Sequence, residues 1–223
     1  MDKVISLKDL TICHSKSSKH ADSADIVLTN INFEVEKGEL VYLIGKVGSG
    51  KSTLLKALYG EVPIMQGEGM VAGYNLRSLS SSVIPYLRRR LGIVFQDFQL
   101  LPDRNVYDNL AFVLKATGWK KESEMQERIG QILELVNLTH KAYKKPHHLS
   151  GGEQQRLTIG RSFINHPEII LADEPTGNLD PSTTEDIMKL FMDITAMGTS
   201  VIIATHDISI IEHHPSRTMA FEA

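Results

Sequence analysis

The stretch LIGKVGSGKSTLLKAL, residues 43–58, constrains the fold of this chain more than any other segment. Its glycines and the pair Lys51–Ser52 match the spacing G-x-x-x-x-G-K-[ST] of a phosphate-binding loop. An apolar strand is predicted before the glycines, at Leu40–Ile44, and an amphipathic helix is predicted to begin near Lys51. A strand, a glycine-rich loop and a helix in this order are the structural context that the motif requires.

In this interpretation the loop binds a nucleotide through its backbone. Amide groups of Val47–Ser52 point at the β and γ phosphates from the positive end of the helix dipole, and Lys51 adds a full charge. The Ser52 hydroxyl is expected to bind Mg²⁺, Thr53 to lie beside the α-phosphate, and Lys46 to be an exposed charge. A glycine-rich turn that enters a helix is the alternative, but it leaves the Lys-Ser pair unexplained. The predicted nucleotide-binding residues of this stretch are Gly45, Lys46, Val47, Gly48, Ser49, Gly50, Lys51, Ser52 and Thr53.

Composition places the chain among ordinary globular proteins. Of its 223 residues 42% are hydrophobic and 23% are charged, and the formal net charge of −3 argues against a broad nucleic-acid-binding surface. No apolar run approaches the ~18 residues that span a bilayer, and the start MDKVISLKDL lacks a secretory signal. We therefore expect a cytoplasmic chain with no nucleic-acid partner. Cys13, the one cysteine, permits no internal disulfide and is interpreted as a small strand residue.

The order of apolar patterns along the chain predicts an α/β protein. Alternation in VISLKDLTI and VLTNINFEVEKGELVYLIG predicts an N-terminal antiparallel meander of half-buried strands, with the polar segment HSKSSKHADSAD as a loop. Helical spacing runs from about Val106 to His140, with a break at ATGWKKESE and a second helix that starts near Ser123. The β-rich runs EIILADEP and SVIIATHD, separated by a helix at Ser182–Met197, are typical of a βαβ unit with buried parallel strands.

The run EIILADEP ends in two adjacent carboxylates, which suit the hydrolysis of a bound nucleotide. At the mouth of a parallel sheet, Asp173 can hold Mg²⁺ through a water, and Glu174 can reach the water that attacks the γ-phosphate. Pro175 ends the strand at this point. Two acidic residues at an exposed strand end, without a catalytic role, are the alternative.

The segment LSGGEQQR, residues 149–156, predicts a second anion site. Ser150 and Glu153 match the capping box S-x-x-E, so a helix begins here, and Gly151 and Gly152 expose backbone amides at its positive end. A helix start without a ligand is the alternative, because capping boxes are common. The pattern alone does not explain why one chain carries two helix ends suited to phosphate.

Five motifs in this order resemble the nucleotide-binding subunit of ATP-binding-cassette (ABC) systems over nearly the whole chain: the phosphate loop, FQDFQLL with Gln96, LSGGEQQR, ILADEPTGNLD and ATHD with His206. The resemblance implies a P-loop NTPase fold with a mostly parallel core sheet, an N-terminal antiparallel β subdomain and a helical subdomain. It also implies one cassette over residues 1–223, with a RecA-like core and antiparallel lobe at about 1–95 and 160–223 and a helical lobe at about 97–158.

The same resemblance assigns roles to individual residues. Two subunits pair head to tail around two ATP molecules with Mg²⁺, and the signature segment of one covers the γ-phosphate held by the other. Gln96 joins Ser52 and Asp173 in the metal site and links it to the membrane subunit, while Glu174, His206 and Gln96 are the catalytic residues. His206 contacts the γ-phosphate. The signature residues are Ser150, Gly151, Gly152 and Glu153, and the dimer interface contains Asn178, Leu179 and Asp180.

The segments PTGNLD and GIVFQDFQLLPDRNVYDNLAFVL narrow the resemblance to one branch of the family. They are most similar to the FtsE cell-division ATPases, which implies an FtsX-like integral membrane partner, a peripheral position on the inner face of the cell membrane and control of cell-wall hydrolysis. Subunits of lipoprotein-release or macrolide-type export complexes are the alternative in this branch. A DNA-associated ATPase would insert long heptad coiled coils, whereas about a hundred residues without sustained heptads separate Ser52 from Ser150.

Two places depart from the usual family pattern. His14 stands where relatives stack an aromatic side chain on adenine, and it is either a weaker stacking residue or a plain surface residue. Gly160, with Ile159 and Ser162, stands where relatives commonly carry alanines. A glycine inside a helix costs about 1 kcal/mol relative to alanine, a cost that we expect packing to offset.

Overall fold

Two β-sheets and the helices around them organise the chain in the computed structural model, which describes residues 2–13 and 26–221. Along the chain the strands are β1 (Lys3–Cys13), β2 (Ile26–Glu36), β3 (Leu40–Gly45), β4 (Ile64–Val71), β5 (Tyr74–Asn75), β6 (Leu91–Val94), β7 (Ile169–Asp173), β8 (Ser200–Thr205) and β9 (Arg217–Phe221). The α-helices are α1 (Lys51–Leu58), α2 (Ile84–Arg89), α3 (Val106–Ala116), α4 (Glu122–Leu135), α5 (Gly151–Phe163), α6 (Pro181–Ala196) and α7 (Ile208–His213). His14 and the predicted polar loop lie outside the described residues.

The larger sheet is parallel, with the order β6-β7-β8-β3-β9. Its central strands are apolar runs, and β8 is buried at every position. Such continuous burial is typical of parallel strands whose two faces are both covered. The predicted βαβ unit is confirmed, since β7 and β8 pair in parallel on either side of α6 in the sequence.

Strand register brings the ends of three central strands to one edge of this sheet. Asp173 of β7 pairs with Ala204 of β8, and Ile44 of β3 pairs with Thr205 of β8. The three segments that follow these strands therefore leave the sheet side by side at its carboxyl edge, where open α/β sheets bind their ligands.

The smaller sheet is antiparallel, with the order β2-β1-β4-β5, and it leaves out β3. The predicted meander is therefore wrong in its last strand. β2 alternates between buried and less buried positions, whereas the first four residues of β3 are all buried. A strand that is covered on both faces belongs in the parallel sheet, where β3 pairs with β8 and β9. The chain changes sheets at Gly38, whose φ of 72° allows the turn.

Helices α3, α4 and α5 form the predicted helical part of the chain. The break between the first two lies at residues 117–121, where Gly118 has a φ of 98°, and α4 begins at Glu122, next to the predicted Ser123. Their buried side chains belong to a core cluster that continues under the parallel sheet. In the described ranges, no helix is both long and apolar enough to cross a membrane.

A buried arginine ties α4 to the end of α5. Arg128 Nε donates to Ile164 O at 2.9 Å and Nη2 donates to Phe163 O at 3.0 Å, while the guanidinium carbon lies 5.2 Å from the centre of the Phe163 ring. Carbonyl groups at a helix end lack partners within the helix. Arg128 supplies those partners and fixes the two helices against each other.

Gly160 has a packing reason for its place in α5. A Cβ on this residue would lie 2.9 Å from Ile132 Cγ2 and 3.0 Å from Val136 Cγ1. Both neighbours are buried and β-branched, so their methyl groups have little freedom to move aside. The close approach of α4 to α5 therefore accounts for the glycine, as expected.

We predict opposite effects of alanine at Gly160 and Gly130. Gly130→Ala should raise the free energy of unfolding by about 0.5–1 kcal/mol, because this glycine lies inside α4 with open space at its Cβ position. Gly160→Ala should lower the free energy of unfolding by about 1–2 kcal/mol, because overpacking exceeds the gain in helix propensity. Chemical denaturation measures both values. Equal stabilisation by the two substitutions would contradict the packing account.

Candidate nucleotide-binding and hydrolysis site

The glycine-rich loop between β3 and α1 exposes backbone amides at the start of the helix. Gly48 and Gly50 have φ values of 86° and 97°, which L side chains rarely adopt. A Cβ on Gly50 would lie 2.6 Å from Leu28 Cδ2, and a Cβ on Gly45 would lie 2.6 Å from Phe221 O. Because Gly50 at the N-cap has no side chain to cap α1, the first amides of the helix are left for an anion.

Lys51 is folded into this loop and is only 5% exposed. Its Nζ donates to Gly45 O at 2.6 Å and to Lys46 O at 3.0 Å, so the ammonium group lies among the loop carbonyls. Lys46 is exposed, as predicted, and Val47 is 86% exposed. A buried ammonium group at the positive end of α1 makes this loop strongly attractive to phosphate.

Ser49 supports the same interpretation of the loop. Its Oγ is buried and has no hydrogen-bond partner among the described residues. Since buried hydroxyl groups in folded proteins nearly always have a partner, an orphan here indicates an acceptor that the chain itself does not supply. A phosphate oxygen is such an acceptor, and the residues of the loop therefore fit a bound nucleotide.

Ser52 and Asp173 meet at the end of β7. The Ser52 hydroxyl donates to Asp173 Oδ1 at 3.0 Å. Burial raises the pKa of the Asp173 carboxyl and Glu174 raises it further, although Ser52 and Lys51 act in the opposite direction. A hydroxyl and a carboxylate side by side are oxygen ligands of the kind that Mg²⁺ prefers, and a cation would offset the cost of burying the charge.

Glu174 directly follows β7 and lies in the left-handed region, with a φ of 47°. Its N–H donates to Ala204 O at 2.9 Å, which keeps the residue attached to β8. Its mostly buried carboxylate has Oε1 at 2.8 Å from His206 Nδ1, and Thr205 Oγ1 donates to Oε2 at 3.4 Å. Strained backbone of this kind clusters at functional sites. The structure thus places Glu174 and His206 in direct contact.

Gln96 lies in the loop that follows β6, where it is exposed. Its Nε2 is 3.9 Å from the position that a Cβ on Gly177 would occupy. The side chain therefore lies beside the segment that follows Glu174, at the same edge of the sheet. Its place in a metal site with Ser52 and Asp173 stays a prediction.

The capping box predicted at the start of α5 is present. Ser150 Oγ accepts from Glu153 N at 3.3 Å, Glu153 Oε2 accepts from Ser150 N at 3.0 Å, and Lys141 forms an ion pair with Glu153. Ser150 is exposed, whereas a Cβ on Gly152 would lie 2.5 Å from Thr183 Cγ2. This second helix end therefore opens to the surface next to α6 of its own chain.

The turn into α6 contains the predicted interface residues Asn178, Leu179 and Asp180. Asp180 caps α6, because its carboxylate accepts from Thr183 N at 3.0 Å and from the hydroxyls of Ser182 and Thr183 at 2.6 Å. These bonds hold the pKa of Asp180 well below its usual range. Leu179 Cδ2 lies 3.7 Å from a Cβ position on Gly151, and a groove of about 600 Å³ separates the turn from the segment that follows β8.

Comparisons with known proteins agree with this geometry. The family model described as ABC transporter matches residues 28–177. The cell division ATP-binding protein FtsE of Bacillus subtilis is 43% identical over 195 residues, which cover 87% of this chain and 85% of the relative. The chain belongs to the ABC transporter family. This ABC cassette is also 41% identical to FtsE of Streptococcus pneumoniae over 204 residues, which cover 92% of the cassette and 88% of that relative.

Solved structures of ABC cassettes have the same fold. The structure of cbiO1 from Clostridium perfringens, part of the ABC transporter complex cbiONQ, has a TM-score of 0.88 at 30% identity and covers 100% of this cassette and 86% of its own chain. A dimeric ATP-binding cassette in a post-hydrolysis state, bound to ADP and Pi, has a TM-score of 0.78 at 33% identity, with 92% and 89% covered. The predicted ABC ATPase fold is confirmed. The chain is an FtsE-like enzyme that binds ATP and hydrolyses it.

Sequence reasoning missed Thr205, which connects two site segments of the cassette. Its Oγ1 contacts Glu174 Oε2 and accepts from Asp207 N at 3.1 Å. The available signal was a hydroxyl residue at the end of the buried strand β8, directly before His206. A buried hydroxyl requires a partner, and the neighbouring strand end supplies it.

We predict that Asp173→Asn stabilises the nucleotide-free cassette near neutral pH. Because the folded state raises the pKa of this carboxyl, the folded protein disfavours the ionised form more than the unfolded chain does. The substitution should raise the free energy of unfolding at neutral pH, and the gain should vanish below the ordinary carboxyl pKa of about 3.9. Denaturant unfolding at both pH values measures the difference.

The control for this prediction is Asp180→Asn. The folded state lowers the pKa of Asp180, so the ionised carboxylate is favoured there and its removal should bring no gain in stability. A loss of stability in Asp173→Asn at neutral pH would contradict the conclusion that burial of the Asp173 charge is only partly compensated.

Proposed function

We propose that this cassette is the ATP-hydrolysing subunit of an FtsE-like membrane complex that acts in cell division. One observation carries the proposal: the phosphate loop, the Ser52–Asp173 pair and the Glu174–His206 pair meet at one edge of the parallel sheet, in a chain 41% and 43% identical to FtsE proteins. A nucleotide in the loop then lies beside one carboxylate suited to a metal and another suited to a water.

The loop residues bind the phosphates of ATP in this proposal. Backbone amides at the start of α1 and the ammonium group of Lys51 surround the β and γ phosphates. Lys51 exchanges its two carbonyl partners, Gly45 O and Lys46 O, for charged phosphate oxygens, which form stronger hydrogen bonds. Ser49 Oγ gains the acceptor that the chain does not supply, and Thr53 takes the α-phosphate.

Hydrolysis is proposed to depend on Glu174. Its carboxylate, positioned by His206 and Thr205, orients a water toward the γ-phosphate. His206 is 54% exposed, so its ring can contact the γ-phosphate while Nδ1 stays bonded to Glu174. Ser52, Asp173 through a water, and Gln96 would hold Mg²⁺, which neutralises charge on the β and γ phosphates when bound.

The active assembly is proposed to be a homodimer with two ATP molecules between its subunits. The start of α5 is exposed at the surface and its free amides suit an anion, and a related cassette bound to ADP and Pi is dimeric. In the dimer, residues 150–153 of one subunit cover the γ-phosphate held by the other. The turn at residues 178–180, which approaches the start of α5, then lies in the subunit interface.

The assembly is proposed to sit in the cytoplasm, on the inner face of the cell membrane, through an FtsX-like integral membrane partner. Closure of the dimer moves the helical lobe, taken as residues 97–158 of a single cassette, and Gln96 connects that lobe to the nucleotide. The work performed is control of cell-wall hydrolysis. A lipoprotein-release or macrolide-type export complex is the other candidate, because PTGNLD resembles that whole branch.

We predict that Glu174→Gln accumulates as an ATP-bound dimer, because hydrolysis no longer releases the two subunits. With ATP and Mg²⁺ it should keep nucleotide affinity, lose at least about 100-fold in turnover and accumulate as a dimer, since the amide cannot act as a base. Lys51→Ala should fail to bind ATP and stay monomeric. Size-exclusion chromatography with light scattering and a nucleotide-binding assay measure these properties.

The control for the dimer prediction is Glu127→Gln, on the exposed face of α4, which should behave as the unsubstituted protein does. A Glu174→Gln protein that stays monomeric in saturating ATP and Mg²⁺ would contradict the shared nucleotide site.

Co-expression with the membrane protein encoded beside this chain tests the cell-division role. We expect detergent-stable co-purification with a four-span protein that carries a large extracytoplasmic segment, and ATP turnover by the complex. Co-purification with a subunit of a lipoprotein-release or export complex would favour the other candidate. Absence of turnover in a complex with intact Lys51 and Glu174 would contradict both.

A further inference from the structure

The loop after Gln96 is held in a conformation that its residues rarely adopt alone. Gln99 N donates to Asp97 O at 2.6 Å, which closes a tight γ-turn around Phe98. Phe98 and Gln99 have φ values of 58° and 47°, so two successive residues with side chains lie in the left-handed region. Strain of this kind persists only where the surrounding structure holds it.

Two side chains of α5 hold the turn. Arg161 Nη1 donates to Gln99 O at 2.6 Å and Nη2 donates to Phe98 O at 2.9 Å, so one planar guanidinium bridges two successive carbonyls. Thr158 Oγ1 contacts Phe98 O at 3.3 Å. The arginine bonds are charge-assisted and stronger than neutral ones, and burial, which lowers the pKa of Arg161, limits competition from water.

Other contacts fix both sides of the turn. The fully buried Asn109 of α3 accepts from Leu101 N at 2.9 Å and donates to Leu101 O at 3.1 Å. Before the turn, β6 lies so close to α5 that a Cβ on Gly92 would overlap the carbonyl oxygen of Ser162. Gln96 thus lies between a strand packed on α5 and a turn bonded to α5, so the helix contacts the chain on both sides of this residue.

Arg161 and Ser150 lie on the same helix. Ser150 is the N-cap of α5, and Arg161 is roughly three turns further along, about 16 Å at the α-helical rise. An α-helix of this length moves as a rigid element, so a shift at its exposed start also shifts the guanidinium at its other end. A shift of the guanidinium changes the turn that begins next to Gln96.

We propose that Arg161 is a positioning residue for Gln96, and that α5 thereby connects the anion-binding end of one subunit to the metal site of the same subunit. The inference rests on the proposed function, in which residues 150–153 touch the nucleotide held by the other subunit. When residues 150–153 contact that nucleotide, α5 shifts, and Arg161 thereby changes the position of Gln96. Each site therefore responds to occupancy of its neighbour through one helix.

The matched control is Arg128, which carries out the same chemistry elsewhere. Like Arg161, it donates from one guanidinium to two successive carbonyls, those of Phe163 and Ile164, but none of its hydrogen bonds within the described residues reaches the turn. Arg128→Met therefore removes an equal number of backbone contacts from the end of α5. A general loss of helix packing should affect both variants, whereas loss of the Gln96 position should affect only Arg161→Met.

The two hydrogen bonds from Arg161 to Phe98 O and Gln99 O are called the Arg161 clamp, and hydrogen exchange of the peptide spanning residues 95–101 tests it without nucleotide. In Arg161→Met we expect exchange there to be at least about 10-fold faster than in the unsubstituted chain, and in Arg128→Met to be unchanged. Equal exchange in Arg161→Met and the unsubstituted chain would overturn the inference, whatever the activity. If exchange is faster in Arg161→Met but the unsubstituted protein in its membrane complex lacks ATP turnover, the proposed function fails and the Arg161 clamp stands.

Turnover tests the link to the metal site. For Arg161→Met we expect turnover at saturating ATP to fall at least about 10-fold, and the Mg²⁺ concentration that gives half-maximal turnover to rise. The ATP dissociation constant should stay within about 2-fold of the unsubstituted value, because the phosphate loop is untouched. Turnover of Arg161→Lys should be intermediate, since one ammonium cannot bridge both carbonyls in plane.

Adding Gln99→Gly to Arg161→Met should restore part of the turnover, because glycine adopts a positive φ without steric cost. Equal losses in Arg128→Met and Arg161→Met, without this rescue, would overturn the proposal.

Discussion

The parallel pairing of β7, β8 and β3 is the constraint on which the site depends. It sets Asp173 against Ala204 and Ile44 against Thr205, so the segments that carry the phosphate loop, the two carboxylates and His206 leave the sheet together. Since alternate side chains of a strand face opposite sides of a sheet, a shift of one residue in the pairing of β7 with β8 would turn Asp173 away from Ser52.

Three non-glycine residues at this edge of the sheet have a strained backbone. Glu174, Phe98 and Gln99 all lie in the left-handed region, and each is attached to a neighbouring element by hydrogen bonds. Glu174 is held by β8, while the turn after Gln96 is held by α5. The strain is thus supported by the sheet and by the helical part, so a movement between these two parts reaches the site directly.

Local patterns predicted much of the fold. The helix predicted at Ser182–Met197 is α6 at Pro181–Ala196, the helix predicted from Lys51 is α1, and the capping box at Ser150 is present. These features depend on neighbouring residues in the sequence, which is why periodicity and capping rules find them. The predicted meander was wrong at β3, because an apolar alternation shows that a strand forms but does not show which sheet the strand joins.

The amino-acid sequence alone determined the phosphate loop, the helix ends and the acidic strand end, since each is specified within a few consecutive residues. Tertiary structure decided which of these meet. Ser52 bonds to a carboxylate 121 positions away, and Arg161 bonds to a carbonyl 63 positions away. Contacts across such separations follow from strand register and helix packing, and the same packing of α4 on α5 explains why position 160 is a glycine.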